Sequence, residues 1–146
     1  MGLAYKKLGK DAEAKECLER AAAGEEEPSS AMYYNDQPAD LILYEGLASL
    51  ELGDKTRASS RFHKLISYGE KHYYDQVKID YFAVSLPDLQ LFEDDLNKRN
   101  RIHCDYLIGL GFLGLGERKK AREYLNKALD ADKAHQGALI HLNMEL

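Results

Sequence analysis

GLASLELGDKTRASSRFHKL, residues 46–65, decides the fold, because the same order of residue types recurs at 2–21 (GLAYKKLGKDAEAKECLERA) and 109–128 (GLGFLGLGERKKAREYLNKA). Aligned on Leu8-Gly9, Leu52-Gly53 and Leu115-Gly116, each copy has Gly six residues before the Leu (Gly2, Gly46, Gly109) and Ala six after it (Ala14, Ala58, Ala121). Leu18, Phe62 and Leu125 follow four residues on, and Ala21, Leu65 and Ala128 three beyond those.

The Ala, the bulky residue and the final Ala or Leu stand at i, i+4 and i+7, which is one apolar stripe on a helix with a single buried face. The upstream Gly, the ring or Ser (Tyr5, Ser49, Phe112) and the Leu form a second stripe at i, i+3 and i+6. Between the stripes Gly9, Gly53 and Gly116 suit the left-handed end of one helix, and Asp11 and Asp54 are expected to cap the next. Each copy therefore predicts two antiparallel helices. Gly at the first position and Ala beyond the turn leave room for close approach, with the Leu or Phe as a knob in the groove between the paired helices.

This pattern resembles the tetratricopeptide repeat, a helix-turn-helix carrying W-x2-LG-x2-Y, then A-x3-F, then P, with a period of about 34 residues. The resemblance covers three stretches, near residues 1–22, 38–68 and 101–130. It departs in having no Trp, Ser49 at the first-helix aromatic position, and Glu26, Glu70 and Lys133 where the family has Pro. The resemblance implies an all-α, right-handed superhelix of helical hairpins with irregular insertions, in one domain over 1–146. Gly9 to Gly53 spans 44 residues and Gly53 to Gly116 spans 63, against about 34 for a regular array. Extra material thus lies in both gaps. GEEEPSSAMYYNDQ reads as a loop, with Pro28 and the acidic run ending one helix and Asp36 ahead of Pro38 starting the next. The second gap reads as a degenerate helical pair near 74–98, Tyr74 to Ser85 and Asp88 to Lys98, broken at Pro87. Ala134 to Asn143 is expected to form a closing helix. The stretch from Ile79 to Gly116 also resembles the C-terminal repeat region of large bacterial multidomain proteins that carry an amino-terminal domain of unknown function, often linked with carbohydrate use. That resemblance implies a piece of a longer parent, consistent with Met1 falling partway through a first repeat helix.

Lys plus Arg number 20 against 25 Asp plus Glu, with no basic block, so nucleic acid and anionic membranes are not the expected partners. The longest uncharged apolar run, Tyr106 to Gly116, falls well short of the roughly 20 residues of a membrane-spanning helix and reads as a buried helix. Lys6 and Lys7 stand where a secretory leader would carry its apolar stretch, and a cytoplasmic setting is expected. Cys17 and Cys104, without CxxC spacing, read as buried free thiols.

His103-Cys104, His135 and His141 do not form an H-x3-H pair, and adjacent helical residues point about 100° apart, so no metal site and no cofactor is expected. His63 and His72 read as surface or boundary residues. Glu93-Asp94-Asp95 sits in a charged run of the kind that forms solvated faces, and no nucleophile or phosphate-loop motif is present, so the chain is not expected to be an enzyme. Tyr33, Tyr34, Tyr73, Tyr74, Tyr81 and Tyr106 suit either packing of the insertions or contact with a partner. The resemblance implies that a partner polypeptide, or a neighbouring domain, lies on the concave face made by first helices. By position that face carries Asp40, Leu43, Leu47, Leu50 and Glu51 in the middle copy and His103, Tyr106, Leu110, Leu113 and Gly114 in the last. Leu and Tyr stand where peptide-carboxylate clamps in the family use Lys and Asn, so an apolar segment is the expected ligand. An apolar face of this size needs cover from a partner, a second copy of the chain, or its own insertion. The alternative reading is a non-catalytic stabilising or oligomerising module of a larger carbohydrate-related enzyme or sugar-binding protein.

Overall fold

Three Leu-Gly turns organise the chain, and all three glycines take positive φ: +70° at Gly9, +85° at Gly53 and +76° at Gly116. Each ends its helix with the same pair of backbone bonds. Lys10, Asp54 and Glu117 N–H donate to the carbonyls of Tyr5, Ser49 and Phe112 at 3.0, 2.9 and 2.9 Å, and each Gly N–H donates to the residue three before it. This is the Schellman closure, in which left-handed backbone after the last turn satisfies carbonyls that the helix leaves open. The computed structural model describes residues 1–24, 27–30, 37–77 and 95–144.

Seven helices stand among the described residues, with no strand: α1 (Gly2–Lys7), α2 (Asp11–Ala22), α3 (Ala39–Glu51), α4 (Lys55–His72), α5 (Leu96–Gly114), α6 (Arg118–Ala131) and α7 (Gln136–Leu142). The first six pair as three hairpins, α1–α2, α3–α4 and α5–α6, stacked in chain order as an α–α superhelical repeat. Asp54 caps α4 as expected, accepting from Arg57 N–H at 3.0 Å. Asp11 does not cap α2: the cap position is Lys10, and Asp11 is already the first helical residue. The register explains this, since the cap is the residue immediately after the turn glycine, and there the copies carry Lys, Asp and Glu.

The knobs seat as the sequence implies. A Cβ on Gly2 would stand 2.8 Å from Leu18 Cγ, one on Gly109 would stand 2.9 Å from Leu125 Cγ, and one on Gly46 would overlap the ring of Phe62. Ala14, Ala58 and Ala121 are buried beside them. Phe62 also closes against Gly114 of α5, so one ring packs between two hairpins. The main core joins Ile42, Leu43, Phe62, Leu65, Leu107, Leu110 and Leu125, while Leu18, Ala22 and Ala48 form a small separate cluster under the first hairpin.

The third stripe position differs between copies. Leu65 and Ala128 are fully buried, whereas Ala21 is exposed and Ala22 is buried in its place. The cause is Arg61, fully buried between α2 and α3. Its Nη2 donates to the Ala22 carbonyl at 2.7 Å, its Nη1 donates to Ser49 Oγ at 2.7 Å, and its Nε lies 3.7 Å from the Glu45 carboxylate. Ser49 Oγ in turn donates to the Glu45 carbonyl at 2.9 Å. Ser49, where the other copies have a ring, leaves the space the guanidinium occupies. The clip holds α2 by the Ala22 carbonyl and so turns Ala22 toward α3.

α3 starts directly after Pro38; Asp36, Pro87, Tyr33, Tyr34 and Tyr81 lie outside the described residues, as does most of the stretch read as a degenerate helical pair. Of that stretch, Tyr74 to Val77 is turn and irregular backbone rather than the expected helix, and Leu96–Lys98 are the first turn of α5, capped by Asp95, which accepts from Lys98 N–H at 2.9 Å. α7 falls inside the expected closing segment.

Ala58 is 0% exposed, so Ala58→Glu is expected to lower stability by about 3 kcal/mol or more through an unpaired buried charge. Gly46→Ala is expected to cost about 1–3 kcal/mol by overpacking Phe62. Urea unfolding checks both, and an unchanged midpoint in either would contradict the register.

Candidate functional site

Because α2 meets α3 through Ala22, the first hairpin leaves a groove of about 1040 Å³ between itself and the C-terminal ends of α3 and α5. Its walls are Met1, Gly2 and Leu3, then Cys17, Arg20 and Ala21 of α2, Tyr44, Leu47, Leu50 and Glu51 of α3, Leu113 to Gly116, and Met144 just after α7. Leu3 and Leu50 expose 54% and 39% of their surface, high for leucines flanking one concavity.

Of the residues that sequence position assigns to a concave face, Leu47, Leu50, Glu51, Leu113 and Gly114 come together in this groove. Leu43, Leu110, His103 and Tyr106 are buried by the chain itself. Leu43 and Leu110 belong to the main core, because α3 and α5 pack directly on each other and on α4. His103 Nε2 lies 2.9 Å from the Ser29 carbonyl, and the His103 ring is edge-on to Tyr68. Tyr106 is covered by α7 and the turn before it, with the His135 ring 4.6 Å away. Asp40 stays at the face near Tyr44 and Tyr106 and helps hold both phenols above their ordinary range, although burial is the larger cause.

The groove's charge is one-sided. Glu51 is paired with Lys6 at 2.7 Å, a bond that ties α1 to the end of α3 and raises the Lys6 ammonium. Arg20 of α2 is the other charged residue of the wall, and no ion pair to it is formed among the described residues.

The two thiols separate. No disulfide joins them; Cys17, expected to be buried, is half-buried in the groove wall, and Cys104 is fully buried. Burial, with Asp105 and Asp75 nearby, pushes the Cys104 thiol up to about 12. Asp105 is itself raised by burial and accepts a hydrogen bond from Tyr73 at 3.3 Å. His63 is exposed beside Ser59, and His72 pairs with Asp75 at 2.6 Å. Among the described residues no group of three or more His, Cys, Asp or Glu is placed to hold a metal ion, and no helix is long and apolar enough to cross a membrane.

Sequence reasoning missed the walls contributed by α2 and by Met144. The signal for α2 was available in the first copy, where AAA at 21–23 follows the stripe and lets Ala22 replace Ala21 at the interface. Met144 had none, because it reaches the groove only by the path of α7.

The tetratricopeptide repeat family model matches the chain at residues 1–23 and 106–135, which are α1–α2 and the second half of α5 with α6. The middle hairpin, with Ser49 and Arg61 at the departures described above, lies between the two matches. No solved structure matches the chain significantly. The two matches and the stack of helical hairpins support a tetratricopeptide-type repeat, a class of module that generally mediates contacts between proteins.

Proposed function

We propose that this chain is an interaction scaffold that holds an apolar polypeptide segment in the groove between its first hairpin and α3–α5. The observation that carries this reading is the groove itself: leucines from three first helices, two of them substantially exposed, around a concavity that the described residues leave open. The occupant favoured is an amphipathic helical segment with apolar side chains at i, i+3 or i+4 and i+7, the way a helix fills an apolar cleft. A carboxylate at one end of that segment would meet Arg20. Leu47, Leu50, Leu113 and Glu51 are the contact residues in this reading; Leu43, Leu110, His103 and Tyr106, buried by the chain itself, are not. The chain performs no chemistry of its own; the segment belongs to another protein or to a neighbouring domain of the same polypeptide.

Peptides selected from a randomised helical display library against the chain supply the probe. Losing one buried leucine contact is worth about 1.5–3 kcal/mol, so Leu50→Asp is expected to weaken a selected peptide by about tenfold or more. Arg20→Glu is expected to weaken peptides carrying Glu or Asp and to spare those without. Leu139→Asp, at an exposed position on α7 away from the groove, serves as the control. Fluorescence anisotropy measures all three, and equal affinities for the wild type and Leu50→Asp would remove the groove from the binding site.

Thiol labelling gives an independent reading. Cys17 is expected to react with a maleimide in the native chain and Cys104 only after unfolding, since reactivity requires an accessible thiolate. Bound peptide is expected to slow Cys17.

A further inference from the structure

α7 packs beside α6 with Ala138 buried in the main core, and it reaches the first helices α3 and α5 through polar rings. His141 is almost fully buried, with Nε2 at 3.1 Å from the Tyr44 hydroxyl of α3 and Nδ1 at 3.1 Å from the Tyr106 hydroxyl of α5. Nδ1 also lies 2.7 Å from the Gly137 carbonyl one turn back. A neutral ring satisfies this set, Nδ1 donating to the carbonyl and Nε2 accepting from Tyr44. Gly137 is small of necessity, since a Cβ there would stand 2.5 Å from Tyr106 Oη.

His135 supplies the second hold. It is the N-cap of α7, and its Nδ1 accepts from the Ala138 N–H at 3.1 Å while its ring packs on Tyr106. An imidazole can cap a helix only while Nδ1 keeps its lone pair. Protonation puts N–H against N–H and adds a positive charge to the positive end of the helix.

We propose that α7 is a pH-released strap, closed over Tyr44 and Tyr106 while His135 is neutral and loosened when it is protonated. Every titratable group around His135 enters this balance. Burial, with Tyr106 of α5 against the ring, lowers the His135 imidazole from its ordinary 6.5; a hydrogen bond to its own backbone and then Asp132 at the end of α6 partly offset this, and His141 of α7 lowers it slightly further. Asp132 is itself engaged, accepting from Ala134 N–H at 3.0 Å. Asp40 of α3 acts on the two phenols that face the rings. The sign follows from a folded-state value below the unfolded one. The strap contributes its full stability above 6.5 and loses it as pH falls below 6.5 toward the folded-state value. Release takes Met144 off the groove wall. The effect on binding rests on the groove reading above, whereas the strap itself does not.

Amide hydrogen exchange of the α7 amides in the full chain, corrected for intrinsic exchange, tests the strap at about pH 7.5 and about pH 5.5. Wild-type protection in α7 is expected to fall about fivefold relative to α6, the effect of one lost N-cap. His135→Asn keeps a cap acceptor that does not titrate, and its protection is expected to be the same at both pH values. Equal wild-type protection at both, or an equal loss in His135→Asn, would overturn the proposal. A proton NMR titration of His135 does not depend on any variant folding: a midpoint below 6.5 is expected, and one at or above 6.5 would also overturn it. A selected peptide is expected to bind the wild-type chain less tightly at the lower pH and His135→Asn equally at both. Changed protection with no peptide binding at either pH would leave the strap standing and remove the groove reading instead.

Discussion

The contact between a bare glycine backbone and a bulky side chain one helix away is the constraint on which the rest of the structure depends. Gly2 against Leu18, Gly46 against Phe62 and Gly109 against Leu125 set how near the two helices of each hairpin lie. Helix pairs at this separation bury their alanines without a cavity, and dense packing is where the stabilising dispersion and burial energy arises. Phe62 carries the most, because it seats on Gly46 within its own hairpin and on Gly114 of the next. Removing a ring from such a site costs about 3–5 kcal/mol in well-packed cores. Stacking of the second and third hairpins is thus the same interaction as formation of the second one.

The first hairpin is attached differently, and this difference creates the groove. In place of a shared ring it has a buried guanidinium reaching from α4 past Ser49 to the Ala22 carbonyl of α2. A buried Arg–Glu pair contributes little net free energy once desolvation is counted, although breaking one partner is costly. Its hydrogen bonds instead select which residue of α2 faces α3. With Ala22 turned inward, Ala21 and Cys17 face the groove, and Leu3, Leu50 and Leu113 are left around a concavity in place of a core. The Lys6–Glu51 pair spans its edge but is exposed, where solvent screening leaves such pairs little net effect.

At the other end the chain covers the first-helix face itself. α7 places two imidazoles against the phenols of Tyr44 and Tyr106, and its end carries Met144 to the groove wall. The surface that the described residues leave open lies between the clip at Arg61 and α7. Apolar burial is insensitive to pH near neutrality, whereas imidazole contacts are not, so the two ends of the face respond to different conditions.

The recurring small and bulky residues by themselves determined the helices, the three turns and the pairing of helices, because those depend on contacts within about 20 residues that repeat in step. The positive-φ glycines and the burial of Ala14, Ala58, Ala121 and the Leu or Phe knobs follow from that spacing. What only the tertiary structure decided is which part of the first-helix face remains open. Leu43, His103, Tyr106 and Leu110 share helical positions with Leu47, Leu50 and Leu113, and periodicity treats both sets alike. They separate because the packing of α3 and α5 on α4 buries Leu43 and Leu110, Ser29 and Tyr68 cover His103, and His135 and His141 cover Tyr106, and no local pattern encodes partners so far along the chain.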